Sequence, residues 1–242
     1  MPPVLVLLAK TAKQAIPRVK IVAARAVSAR WADWATPRPA VEPFAFVITL
    51  LLYVWWVAPA SPHRTDVILR TLLGLTPLVS ILAHRDRPRA LGFTLHNLGA
   101  SASEVGLATA AFTLVVLLIG AATGHRITLP REVRPSQAAL LFWPLWQQFT
   151  LQGFVCRRLA QGGRSPHHAA AAAALLFGAA HWPNPLLVVF TTLAGYVWCR
   201  LYQRAPNLFT LTLAHGWLAA CVGAALPHEW MHGLRVGPGF WE

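Results

Sequence analysis

Leu175 to Pro185 reads LLFGAAHWPNP. An Ala-rich apolar run closes on one imidazole, His181, and then on Trp182-Pro183-Asn184-Pro185. A histidine at the end of such a helix is costly unless something pairs with it. Working outward, the same theme recurs on both sides. LFTLTLAHGWLAACV places His215 inside a later apolar run, and WPLWQQFTLQGF interrupts an earlier one with Gln147, Gln148 and Gln152. Polar insertions in three apolar helices point to one shared polar site, with the rest of the chain as its scaffold.

Composition sets the solvent. Of 242 residues, 56% are hydrophobic and 12% charged, with a mean hydropathy of +0.49. A soluble domain carries roughly 25% charged residues, so the chain reads as an integral membrane protein in contact with the lipid bilayer. The acidic residues are Glu42, Asp33, Asp66, Asp86, Glu104, Glu132, Glu229 and Glu242. None lies between Val133 and His228, so the stretch that carries the glutamines and histidines supplies no carboxylate of its own. The net charge of +13 does not indicate nucleic acid. The basic residues cluster in an N-terminal segment and in short loops between apolar runs, the pattern of topology signals and anionic-lipid contacts. Cys156, Cys199 and Cys221 lack metal-type spacing and read as small apolar packing residues.

The spacing predicts an all-α polytopic membrane bundle in three parts. Residues 1–40 interleave Lys10, Lys13, Arg18, Lys20, Arg25 and Arg30 with apolar residues and Trp31 and Trp34, as a basic amphipathic segment on the membrane surface. Residues 41–226 form the transmembrane bundle, and 227–242 a short tail. A spanning helix needs roughly 20 apolar residues. Seven spans are expected, at 41–60, 66–83, 97–123, 136–160, 168–182, 184–202 and 207–226. The predicted inner segments are rich in Lys and Arg, counting Arg85, Arg87 and Arg89, then Arg157, Arg158 and Arg164, then Arg200 and Arg204, whereas the outer ones hold only Arg64, Arg126, Arg131, Arg134 and Arg235. That asymmetry predicts a cytoplasmic N-terminus and suits a bacterial inner membrane. At a rise of about 1.5 Å per residue, Gln147, His181 and His215 all fall near mid-depth. Intramembrane polar residues face the bundle interior and are candidate site residues. Each also has a plainer reading, as a hydrogen bond between helices worth on the order of 1 kcal/mol.

On these motifs the chain resembles the CAAX-protease and bacteriocin-processing (CPBP) membrane proteins, or glutamic-type intramembrane proteases. Their pattern is Glu-Glu-x-x-x-Arg, then Phe-x-x-x-His, then His-x-x-x-Asn. Here Gln147 and Gln148 stand at the paired glutamates, Gln152 at the arginine, Phe177 and His181 at the second motif, and His215 with Ala219 at the third. The resemblance covers about residues 95–226. It implies an intramembrane endopeptidase acting on a membrane-associated protein or peptide, in which a glutamate activates water beside the histidines. Some descriptions of the family instead imply a metal. Glutamine has no basic site near neutral pH and is a poor zinc ligand. Loss of glutamates and arginine together leaves no unpaired buried charge. Two readings therefore stand: a protease centred on His181 and His215 with Gln147, Gln148 and Gln152 as its polar wall, or an inactive relative that binds peptide or lipid as a scaffold. Neither reading names a certain cofactor, and a divalent metal such as zinc stays as the lesser alternative.

The tail holds a literal H-E-x-x-H, His228-Glu229-Trp230-Met231-His232. On a continuous helix that spacing can hold zinc. Pro227 and Gly233 bracket it to a stub, and LRVGPGFWE after it reads as coil, so the motif is read as an interfacial tail, with zinc as the lesser alternative.

Overall fold

In the computed structural model, residues 40–127 and 138–241 are described, with side chains from residue 141 onward in the second stretch. The predicted surface segment at 1–40 therefore falls almost wholly outside the described residues. Every regular element among the described residues is helical. In chain order these are α1 (Val41–Ala60), α2 (His63–Ala83), α3 (Leu98–Ala122), α4 (138–161), α5 (Pro166–Ala179), α6 (Pro185–Arg204), α7 (Leu208–Ala225) and a short α8 (His228–Met231). Helices α1, α2, α3, α6 and α7 are long and apolar enough to cross a membrane. Their lipid-compatible faces carry exposed Leu, Ile, Val, Phe and Trp side chains, such as Leu107, Leu82 and Trp56. The chain is an integral membrane helix bundle. Helices α4 and α5, also expected as spans, are not among the five. Glutamines dilute the first, and the second has only 14 residues.

Local chemistry explains where the site-bearing helices begin. Ser165 precedes Pro166 and accepts from the His168 N–H, capping α5. Asn184 precedes Pro185 and accepts from the Leu187 N–H at 3.1 Å, capping α6. Asn207 caps α7 through the Thr210 N–H at 3.1 Å. Its other amide atom donates to Thr94 O at 2.8 Å and to Asn97 Oδ1 at 3.1 Å, which ties the start of α7 to the start of α3. Ser101 and Thr210 extend that tie at 2.8 Å.

Small residues let the helices close on one another. Gly178 in α5 sits where a Cβ would collide with Thr192 Oγ1 of α6, and Gly195 faces Ala174 and Phe177. In a bilayer, close packing of this kind drives helix association. Helix α4 lies at the centre of the bundle. Its middle, Phe149–Cys156, is wound as a π-helix, and all of Leu151–Gln161 is buried. Such stretches inside α-helices are frequent at functional sites.

Two expectations change. Arg157 and Arg158, expected in an inner loop, are buried: their side chains are 7% and 0% exposed. Arg158 contacts Asp86 Oδ2 at 2.7 Å, Glu42 Oε2 at 3.5 Å, Ser80 Oγ at 3.0 Å and Gln161 Oε1 at 2.7 Å. Arg157 holds the other Asp86 oxygen at 3.0 Å. The tail is not coil either. Short helical turns at His228–Met231, His232–Leu234 and Gly237–Phe240 dock it on the bundle.

Candidate active site

The polar insertions meet. From α4, Gln152 and Gln148 are both fully buried. They are one turn apart, and Gln152 Nε2 donates to Gln148 Oε1 at 3.2 Å. Gln148 Nε2 then donates to His215 Nδ1 of α7 at 3.3 Å. The His215 ring lies against Trp198 of α6, with centroids 5.0 Å apart, and edge-on to Phe177 of α5 at 6.2 Å. Phe177 also packs edge-on to His181 at 4.7 Å, and the two imidazoles lie close enough to interact electrostatically. Four helices thus converge on one pair of histidines.

Hydrogen bonds fix the two tautomers. His181 Nδ1 lies 2.7 Å from the Phe177 carbonyl oxygen. A carbonyl only accepts, so Nδ1 carries the proton and Nε2 keeps its lone pair. His215 Nδ1 faces an amide N–H and is the acceptor, so its Nε2 carries the proton. As neutral rings, one imidazole presents a base and the other a donor. A water between them would find one partner of each kind, donating to the free Nε2 of His181 and accepting from His215 Nε2–H, whereas a carbonyl oxygen could accept from His215 alone.

Gln147 is half-buried and makes no side-chain hydrogen bond among the described residues. It is the one expected site residue outside the network. Gln152 Oε1 is buried and lacks a hydrogen-bond partner among the described residues. Cys199 lies within hydrogen-bonding reach of Gln152 and Cys156. An unmade hydrogen bond at a buried acceptor costs about 1–3 kcal/mol, so this wall of the site is held in place by the surrounding packing. Trp198 is a site residue that pattern reading misses: a tryptophan in an apolar helix carries no signal that it will face a histidine.

The site does not fit a metal. Two imidazoles and amides are a poor donor set for zinc, and each Nδ1 is already engaged. Among the described residues no group of three or more His, Cys, Asp and Glu side chains could hold a metal ion. The H-E-x-x-H geometry fails for a separate reason. The helix stops at Met231, and His232 turns left-handed at φ 45°, stacking on Phe240 at 4.1 Å. The two tail histidines do not share the continuous helical turn that zinc requires.

No curated protein and no solved structure matches the chain. A family model described as type II CAAX prenyl endopeptidase Rce1-like matches residues 132–221. That stretch holds α4, α5, α6 and most of α7, and with them Gln147, Gln148, Gln152, His181 and His215. Its motifs, its helical membrane architecture and this match over residues 132–221 together support a place in the CPBP, or CAAX-protease, family, with glutamines at the paired-glutamate motif.

Proposed function

We propose that the protein is an intramembrane endopeptidase that cleaves membrane-associated protein or peptide with a histidine as its base. The observation that carries this reading is the opposed tautomer pair, His181 with a free Nε2 and His215 with a free Nε2–H. His181 Nε2 takes a proton from water as its oxygen attacks the scissile carbonyl carbon. His215 Nε2–H donates to the oxyanion, and Gln147 supplies a second amide donor. The protonated His181 then gives its proton to the leaving nitrogen as the C–N bond breaks. One water is consumed, and a carboxylic acid and an amine are released.

Two further features belong to this reading. Helices α4 and α5 also cross the bilayer, giving seven spans. The positive-inside asymmetry of the loops orients the N-terminus to the cytoplasmic side, in a bacterial inner membrane. Fully buried glutamines, joined in series to an imidazole, support a polar chamber at mid-depth.

The test is cleavage of a membrane-embedded peptide library by purified protein in lipid, scored by product mass. His181→Ala and His215→Ala should each reduce cleavage by a factor on the order of 10²–10⁴. Full activity in either variant overturns the reading.

A further inference from the structure

After α7, Pro227 turns the chain back over the outer end of the bundle as drawn by the proposed topology. Met231 inserts its side chain among Val116, Val222, Ala225 and Leu226, with Leu186, Leu187 and Phe190 beside it. His232, Gly233 and Leu234 all take positive φ, which folds the chain across the turn that follows His181. Two hydrogen bonds join tail and turn. Asn184 Nδ2 donates to Met231 O at 2.9 Å, and Gly237 N donates to Trp182 O at 3.0 Å. Gly237 itself presses on Val54 of α1, where a Cβ would collide with Val54 Cγ1. The segment 227–241 is thus a strap anchored on α1, α3, α6 and α7.

His181 lies two residues beyond the last residue of α5, in the turn 180–184. Inside that turn the backbone is held by His181 N to Gly178 O at 2.9 Å and Asn184 N to His181 O at 3.2 Å. The helix no longer fixes the ring's backbone on both sides, so the far side of the turn depends on what grips it. Asn184 is fully buried and divides its amide: Oδ1 caps α6, while Nδ2 reaches the strap.

Resting on the reading of His181 as the base, we propose that Asn184 is a positioning residue, and that through it the C-terminal strap holds His181 in register with His215. The strap would act on the proton-taking step rather than on substrate binding. The Nδ1–H bond from His181 to Phe177 O is the coordinate it protects, because that bond fixes the tautomer that leaves Nε2 free.

The test uses the full chain in lipid nanodiscs with three variants. Asn184→Ser and Asn184→Asp keep a capping oxygen for α6 but lose the N–H that reaches Met231 O. Gly237→Val dislodges the strap from its other end and leaves Asn184 intact. The readouts are kcat and KM for cleavage and the ¹⁵N signals of the His181 ring. The proposal expects kcat to fall on the order of tenfold or more with KM near that of the wild type, and the His181 Nδ1–H signal to broaden or shift in all three. Unchanged kcat and an unchanged His181 signal in Asn184→Ser and Gly237→Val overturn it. Failure of the underlying reading looks different: His181→Ala would then keep its activity, and the ring signal alone would decide whether the strap positions that residue.

Discussion

Gln148 cannot take a proton, yet it directs where a proton sits. Its Nε2–H toward His215 Nδ1 places the mobile hydrogen of His215 on Nε2, and the Phe177 carbonyl places that of His181 on Nδ1. The expected ¹⁵N spectrum of histidine-labelled protein in lipid therefore shows one Nδ1–H and one Nε2–H imidazole at these two positions. Two identical tautomers would break the account at its base. Gln148→Leu removes the donor and should lower turnover on the order of 10²-fold by releasing His215 from that tautomer; activity assays beside the same spectra check it. The histidines and glutamines were legible in the sequence because a polar group in an apolar helix needs a reason to be there. Trp198 was not, because its contact with His215 depends on how α6 rolls against α7, which no local pattern encodes.

At the scale of elements, α4 is held at both ends of its buried stretch. One end meets α7 through Gln148, and the other carries the arginine cluster. Arg157 begins roughly 8 Å along the helix from Gln152, so the cluster and the site share one rod. Asp86 bridges both arginines, and its side chain is 5% exposed. Asp86→Ala leaves two buried guanidinium groups short of a counter-ion and should destabilise the fold by about 3–5 kcal/mol. Glu42→Gln, at a partly exposed position 3.5 Å from Arg158, should cost far less, and thermal unfolding in detergent orders the two. Equal midpoints would contradict this role for the cluster. In sequence these arginines look like a loop, because charge next to an apolar run resembles a flank. Their partners lie 71 and 78 residues away in the chain, so the pairing is visible only once the helices are packed. Gly178→Val tests the other contact: its side chain collides with Thr192 and should part α5 from α6, lowering both stability and turnover. The docked form of the tail is hidden in sequence for a comparable reason. Its Gly and Pro residues signal irregular backbone, and here that backbone makes the positive-φ turns that let it dock.

Across the whole molecule, the bilayer decides the architecture. Backbone polar groups in hydrocarbon must be satisfied within each segment, so an apolar chain of this length resolves into helices. That much was written in composition and run length. The proposed orientation rests on Arg85, Arg87 and Arg89 against the sparser outer arginines. Single cysteines placed at Arg87 and at Arg126 in a background lacking the native cysteines should label from opposite sides of sealed vesicles, Arg87 from the cytoplasmic side. Labelling of both from one side would require a different path through α3.

The central claim is that the chamber hydrolyses peptide bonds without a carboxylate. The measurement that tests it most directly compares wild type with the Gln147→Glu/Gln148→Glu double variant, in lipid, on the same membrane-embedded peptides. The account predicts that the wild type cleaves, and that the glutamates are not needed for cleavage to occur. A silent wild type beside an active glutamate variant would contradict it, and would leave the protein as an intact scaffold from which the chemistry has been removed.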